Sequence, residues 1–156
     1  MPTQKYALRA IVNAIQDSLE DVQRVDIDNN NIGIRASKSY WIEEGWMTER
    51  WRDHGIPQVS ILGLNNSIEG EDGKGARYER MYVEVDIFGS GRDQCQDLLG
   101  QIKKHFYDYE NRESLRKSGV KFDSLYDNMI VQDEVLPQKI YSRQVYMNIF
   151  YRTSGA

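Results

Sequence analysis

The sequence predicts an α+β fold: a mostly antiparallel sheet with an N-terminal helix and a central helix packed on one face. Three observations carry this. Residues 4–22 place Leu8, Ile11, Val12, Ile15, Leu19 and Val22 at the three- and four-residue steps of one helical face. In Tyr78–Tyr109, Val83, Val85 and Ile87 alternate with Tyr82, Glu84, Asp86 and Phe88. The chain then breaks at Gly89-Ser90-Gly91 and resumes at helical spacing through Cys95, Leu98, Leu99, Ile102 and Phe106. Finally, residues 139–152 alternate Val145, Met147, Ile149 and Tyr151 with Tyr146, Asn148, Phe150 and Arg152. Strands on both sides of one amphipathic helix give that helix, and the one before it, a sheet face to cover.

The first helix has Thr3 as an N-cap and carries Arg9, Asn13, Gln16, Asp17 and Glu20 on its polar face. A short hairpin follows, with Val25 and Ile27 on one arm, Ile32 and Ile34 on the other, and Asn29-Asn30-Asn31 at the turn. Residues 38–56 form an aromatic excursion. Trp41, Trp46 and Trp51 recur every five residues, a spacing that fits neither one helix face nor one strand face. Such a segment either plugs the edge of the core or meets a partner. Residues 58–64 read as a strand that is bulged at Gly63 or covered on both faces, and 65–77 as a polar, glycine-rich hairpin loop with a mobile tip. Ser90 is the expected cap of the central helix, with Asp93 three residues later. Residues 110–124 read as a charged linker or short extra helix. Met129-Ile130-Val131 and Val135-Leu136 restore strand character before Pro137.

At 156 residues the chain, 1–156, is expected to be one domain with a core large enough to fold without staples. A net charge of −4 argues against a protein that grips nucleic acid through phosphates. Cys95 is the single cysteine, which excludes an internal disulfide, and its place on the apolar stripe predicts a small buried thiol. The N-terminus shows no apolar leader, and no run approaches the roughly 18 apolar residues of a membrane span, so synthesis inside the cell is expected. Ten tyrosines suit half-buried sheets and protein interfaces alike.

Chemical motifs do not assemble. Asp26-x-Asp28-x-Asn30 starts like a calcium loop, but Asn31 stands where the loop needs glycine and Ser37 where it needs a bidentate Glu. Gly70–Gly75 lacks the spacing and the Ser or Thr of a phosphate cradle, and carries carboxylates. His54 and His105 are not at metal-ligand spacing, and Glu43-Glu44 and Glu71-Asp72 are adjacent rather than set across a cleft. No catalytic, cofactor-binding or metal-ligating residue is expected, and no enzyme.

Taken together, the leading helix, the strand Val83–Phe88, the turn Gly89-Ser90-Gly91, the helix Asp93–Tyr107 and the closing strand Gln144–Arg152 resemble the tail terminator (tail-completion) proteins of tailed bacteriophages. That resemblance implies a structural virion protein, made in the host cytoplasm. It would form a ring, usually hexameric, at the head-proximal end of the tail tube. There it would end tube polymerisation and meet the neck or head-closure proteins, while DNA passes through the lumen without specific binding. No cofactor and no membrane are implied. The self-interface of a ring is expected from the tyrosines and the aromatic segment, with Tyr40, Trp41, Trp46 and Trp51, and the loop residues Glu69, Glu71, Asp72 and Lys74 are expected to face the lumen or a partner. Two other readings stand beside it: a head-closure, neck or tail-tube protein of the same virion, and a small ligand-binding or enzymatic α+β domain.

Overall fold

The computed structural model describes residues 4–25, 30–33, 38, 41–45, 55–71, 77–127, 134–135 and 141–153, and only the backbone of 32, 65–71, 127, 134–135 and 153. In chain order the elements are α1 (Gln4–Ser18), β1 (Arg24–Val25), β2 (Asn31–Gly33), β3 (Ile42–Glu44), β4 (Gln58–Glu71) and β5 (Arg77–Gly89). They continue with α2 (Arg92–Tyr107), α3 (Tyr109–Lys117), β6 (Val120–Asp127), β7 (Glu134–Val135) and β8 (Tyr141–Thr153). The fold is α+β, as the sequence predicts.

The main sheet has the order β3-β4-β5-β8-β6. β3 runs parallel to β4, and every other pairing is antiparallel. β7 extends the β6 side of β8, since it pairs with Tyr141 and Ser142 while β6 pairs from Val145 onward. β8 comes last in chain order among these strands and yet lies between β5 and β6. β1 and β2 make a separate two-stranded hairpin.

One face of the sheet is the core face. Val59 and Ile61 of β4, Met81, Val83, Val85 and Ile87 of β5, and Val145, Met147, Ile149 and Tyr151 of β8 are all buried there. They share one hydrophobic cluster with Leu8, Ile11, Val12 and Ile15 of α1 and Cys95, Leu98, Leu99, Ile102 and Phe106 of α2. The residues that alternate in the sequence are therefore the residues that meet the helices. Cys95 is a buried thiol outside any disulfide, as its position on the stripe predicts. Its neighbour across the turn is Gly89, where an added Cβ would come within 2.9 Å of Gln94 Oε1 and 3.0 Å of Cys95 Sγ. A side chain there would push α2 away from β5.

Several expectations change. α1 ends at Ser18, whose hydroxyl donates to the Ile15 carbonyl at 2.7 Å, while Leu19 and Val22 reach the core beyond the helix. Thr3 lies outside the described residues. Gly91, in extended conformation, and not Ser90, caps α2. Gln94 folds back so that its Oε1 accepts from the Ser90 backbone N–H at 2.8 Å, and the Gly91 cap itself makes no side-chain hydrogen bond. The excursion 38–56 is not irregular throughout, because Ile42–Glu44 pairs with Val59–Ile61 as the sheet's parallel edge. The glycine-rich stretch 65–77 is mostly strand. β4 runs to Glu71, with register shifts between Gly63 and Asn66 and between Ile68 and Gly70. Backbone pairing needs no apolar side chain, and bulges absorb the extra residues, so a polar sequence stays in the ladder.

The segment 110–124 divides. α3 occupies its first half, capped by Asp108, whose carboxylate accepts from the Asn111 N–H at 3.1 Å. β6 occupies the second half and continues into the region expected to begin the next strand. Its buried residues are Val120, Phe122 and Leu125, and a register shift between Phe122 and Ser124 breaks the period of two. Tyr107 fixes the end of α2 to this strand: its hydroxyl accepts from the Leu125 N–H at 3.1 Å and lies 3.3 Å from the Leu125 carbonyl.

Truncating Ile102, fully buried at the contact between α2 and the sheet, is expected to cost about 2–5 kcal/mol in denaturant unfolding. Gln96→Ala, on the exposed side of the same helix, is expected to change stability by less than about 0.5 kcal/mol.

Candidate interaction surface

The residues singled out in the sequence fall into three groups. Trp41 is 1% exposed and sits in the core cluster. It plugs the edge of the core and presents no surface to a partner, which corrects its assignment to an interface. Tyr40, Trp46, Trp51, Asp72 and Lys74 lie outside the described residues. Glu69 and Glu71 are on β4, in strand rather than loop, with only their backbone described.

Trp41 is held by cations. The Arg24 guanidinium lies 5.5 Å from its ring centre and the Lys38 ammonium 5.9 Å. Arg24 is fully buried. It donates to the Gly55 carbonyl at 2.9 Å and to the Pro57 carbonyl, so one side chain ties the β1–β2 hairpin to the approach of β4. Val25 and Ile56 bond each other's backbone beside it, at 3.1 and 2.8 Å.

The second face of the sheet is polar and aromatic but is not simply left to water. Glu84 and Asp86 of β5 are only 6% and 7% exposed, and Gln58, Ser60 and Asn148 are also buried. Register explains the grouping, because Glu84 stands opposite Tyr146 and Asp86 opposite Gln144. Glu84 Oε1 accepts from Gln144 Nε2 at 2.7 Å, and Gln144 Oε1 accepts from the Tyr146 hydroxyl at 3.0 Å. Asn148 Nδ2 donates to Asp123 Oδ2 at 3.2 Å. Burial raises the Tyr146 hydroxyl above the ordinary tyrosine range, and the nearby Glu84 and Asp86 carboxylates raise it further. Sequence reading placed these residues on the face away from the core. It missed that β5 and β8 bring the two carboxylates and their amide partners into one network, a pairing invisible without the strand register.

Not all of this face is satisfied. Among the described residues, the Gln58 amide, the Ser60 hydroxyl, Glu84 Oε2 and Asn148 Oδ1 are buried and make no hydrogen bond.

Two hollows flank the sheet. One, of about 360 Å³, lies between α1 and α3 and is lined by Tyr6, Arg9, Asn13 and Asp17 of α1, His105 of α2, and Asn111 of α3. Asn111 Nδ2 is 3.3 Å from His105 Nδ1 and donates to the His105 carbonyl at 3.1 Å. Burial lowers His105 below its ordinary value, against the opposing pull of Asp17 and Asp108. The other hollow, of about 670 Å³, lies where the C-terminal end of α3 meets β6, β8 and β5.

Among the described residues, no cluster of three or more His, Cys, Asp or Glu side chains is placed to hold a metal ion, and no helix is long and apolar enough to cross a membrane. Neither the models of known protein families nor the curated proteins include a match to this chain.

Two outcomes follow from these geometries. Ser60→Ala removes a buried hydroxyl that has no partner among the described residues and is expected to leave stability unchanged or raise it. Gln144→Ala strips Glu84 of its donor and is expected to cost about 1–3 kcal/mol, both read by denaturant unfolding. His105 gives a pH dependence. Its folded-state affinity for a proton is below that of the unfolded chain, so stability present above the ordinary imidazole range falls as pH drops through that range. Unfolding free energies at about pH 8 and about pH 5 should differ less in His105→Asn than in the parent protein.

Proposed function

We propose that this chain is a structural ring protein at the head-proximal end of a phage tail tube, where it ends tube polymerisation and meets the neck. The observation that carries this reading is the shape of the sheet end. β4, β5 and β8 are 14, 13 and 13 residues long. Thirteen strand residues reach about 43 Å. The core ends well before the strands do: burial along β5 begins at Met81, while Arg77 and Tyr78 are exposed and Glu79 and Arg80 half-buried. β4, β5 and β8 therefore continue together beyond the buried stretch of β5, with Arg77 still paired to both Glu71 and Thr153, and the outer end of β4 forms the acidic arm of that sheet end. A sheet end whose β5 residues are exposed gains by meeting another surface, as a subunit in a ring does. The order of leading helix, long hairpin, small-residue turn, amphipathic helix and closing strand supports the same reading.

The role needs a self-interface and a tube-binding surface, but no catalytic group. The DNA that would pass through the lumen meets a chain of net charge −4, which favours passage over adhesion.

The test mixes purified protein with isolated tail tubes and follows it by sedimentation and electron microscopy. Rings, free or capping one tube end, are the expected result. A protein that remains monomeric and never binds tubes would overturn the proposal, and binding to portal-bearing heads instead of tubes would move it to head closure.

A further inference from the structure

The sheet end that bears the acidic arm of β4 also bears a groove of opposite charge. The 670 Å³ hollow is walled by Arg116 and Lys117 from the last turn of α3, Lys121 of β6 and Arg152 of β8, with Tyr78 and Phe150 as its aromatic surface. Among the described residues its lining contains no carboxylate, although Glu79 hydrogen-bonds the lining Tyr151. Arg116 is engaged by Glu113 at 2.8 Å on the helix surface, and both it and Lys117 suit the negative end of α3. That explanation does not reach Lys121 and Arg152. They stand on strands, opposite Phe150 and Tyr78 respectively, where nothing in the helix calls for them. Tyr78 is 46% exposed, a large ring held at the edge of the hollow. Four cations converge here in a chain whose net charge is negative.

The chain supplies a matching surface. The far end of β4 reads Ile68-Glu69-Gly70-Glu71, followed by Asp72. Register puts this acidic end level with the groove, because Glu71 pairs with Arg77, Arg77 pairs with Thr153, and Tyr78 pairs with Arg152. The two features share one end of the sheet and are offset sideways along the order β4-β5-β8-β6, by about 14 Å at the usual strand spacing.

We propose that the groove receives the acidic arm of a neighbouring copy of this chain, making the head-to-tail contact of the ring. This rests on the ring reading above, since the occupant is a second copy. A closed ring needs donor and acceptor patches that differ, lie to either side of the subunit, and sit at one axial level; otherwise the contact propagates as a helix. An acidic arm and a basic groove at one end of the sheet meet that condition. Carboxylates against Lys and Arg beside aromatic rings also give charge-assisted hydrogen bonds and a fixed register. A single-stranded nucleic acid would use the same cations and rings, but the acidic segment level with the groove favours the protein partner.

Two double variants test this, each checked for native fold by circular dichroism. Lys117→Glu with Lys121→Glu makes the groove acidic, and Glu69→Lys with Glu71→Lys makes the arm basic. Each alone is expected to associate at least about tenfold more weakly than the parent. Their equimolar mixture should recover assembly, because in alternating order every arm again meets a groove of opposite sign. Either folded variant assembling like the parent, or a mixture that regains nothing, would overturn the proposal. A zero-length carbodiimide cross-link between Lys121 and Glu71, read on mixed light and heavy isotope chains, separates this contact from the ring. An intermolecular link in dimers that never form rings or cap tubes keeps the contact and sinks the ring reading. Rings without the link, or a link confined to single chains, sink the contact. Binding of a fluorescent oligothymidine that is lost in the groove variant, with assembly unchanged, would overturn it in favour of nucleic acid.

Discussion

The pairing of β5 with β8 is the constraint on which the rest of the structure depends. Thirteen residues of each strand stand opposite one another, from Arg77 against Thr153 to Gly89 against Tyr141, without a single shift. The β4 and β6 ladders on either side both contain bulges. This central ladder decides which residues face the helices and which face away, and it does so for two strands at once. A slip of one residue would turn either Glu84 and Asp86 or Gln144 and Asn148 toward α2 and expose Val83 and Val85 or Val145 and Met147. Buried carboxylates without partners cost several kcal/mol each, so the two chemically distinct faces hold the register more firmly than either would alone.

What could be read in advance follows from which interactions are local. α1, α2, β5 and β8 were legible because apolar residues recur at one period through each of them. β6 was not, because a bulge between Phe122 and Ser124 splits Val120 and Phe122 from Leu125. β3 is three residues long and owes its strand state to parallel pairing with Val59–Ile61, which nothing near Ile42 announces. The outer stretch of β4 looked like loop because its composition is that of a loop, and only its pairing with β5 makes it a strand. The Glu84–Gln144–Tyr146 network and the basic groove were both illegible for one reason: each gathers residues 60 or more positions apart in sequence, or residues from four elements, and single-sequence periodicity carries no such information.

The fold divides its labour by direction. Cohesion is concentrated in the middle of the sheet, where α1 and α2 cover the core face and the second face carries its polar network. Four cations gather at one end, where Arg116 and Lys117 at the end of α3 stand beside Lys121 of β6 and Arg152 of β8, with the exposed Tyr78 ring at the edge. Arg24 and Trp41 serve the middle: a buried guanidinium holding an indole and two carbonyls fixes the β1–β2 hairpin against the sheet. Val120 and Tyr151 at that end belong to the core, while Arg77, Tyr78, Lys121 and Arg152 beside them are exposed, which opens those positions to selection for contact.

The position of β8 has a consequence for the growing chain. On a ribosome, β5 and β6 both emerge before the strand that must lie between them. Until β8 arrives, each presents an unpaired edge and half of a hydrophobic face, and a nascent chain in that state is prone to aggregation. The β5–β8 contacts that close the sheet join residues 52 positions apart at Gly89–Tyr141 and 76 apart at Arg77–Thr153, so closure is non-local and slow compared with helix formation. Synthesis order therefore acts as a checkpoint: the wall between Arg152 and Lys121 comes into being only after the last strand has threaded home, and no partly made chain displays it.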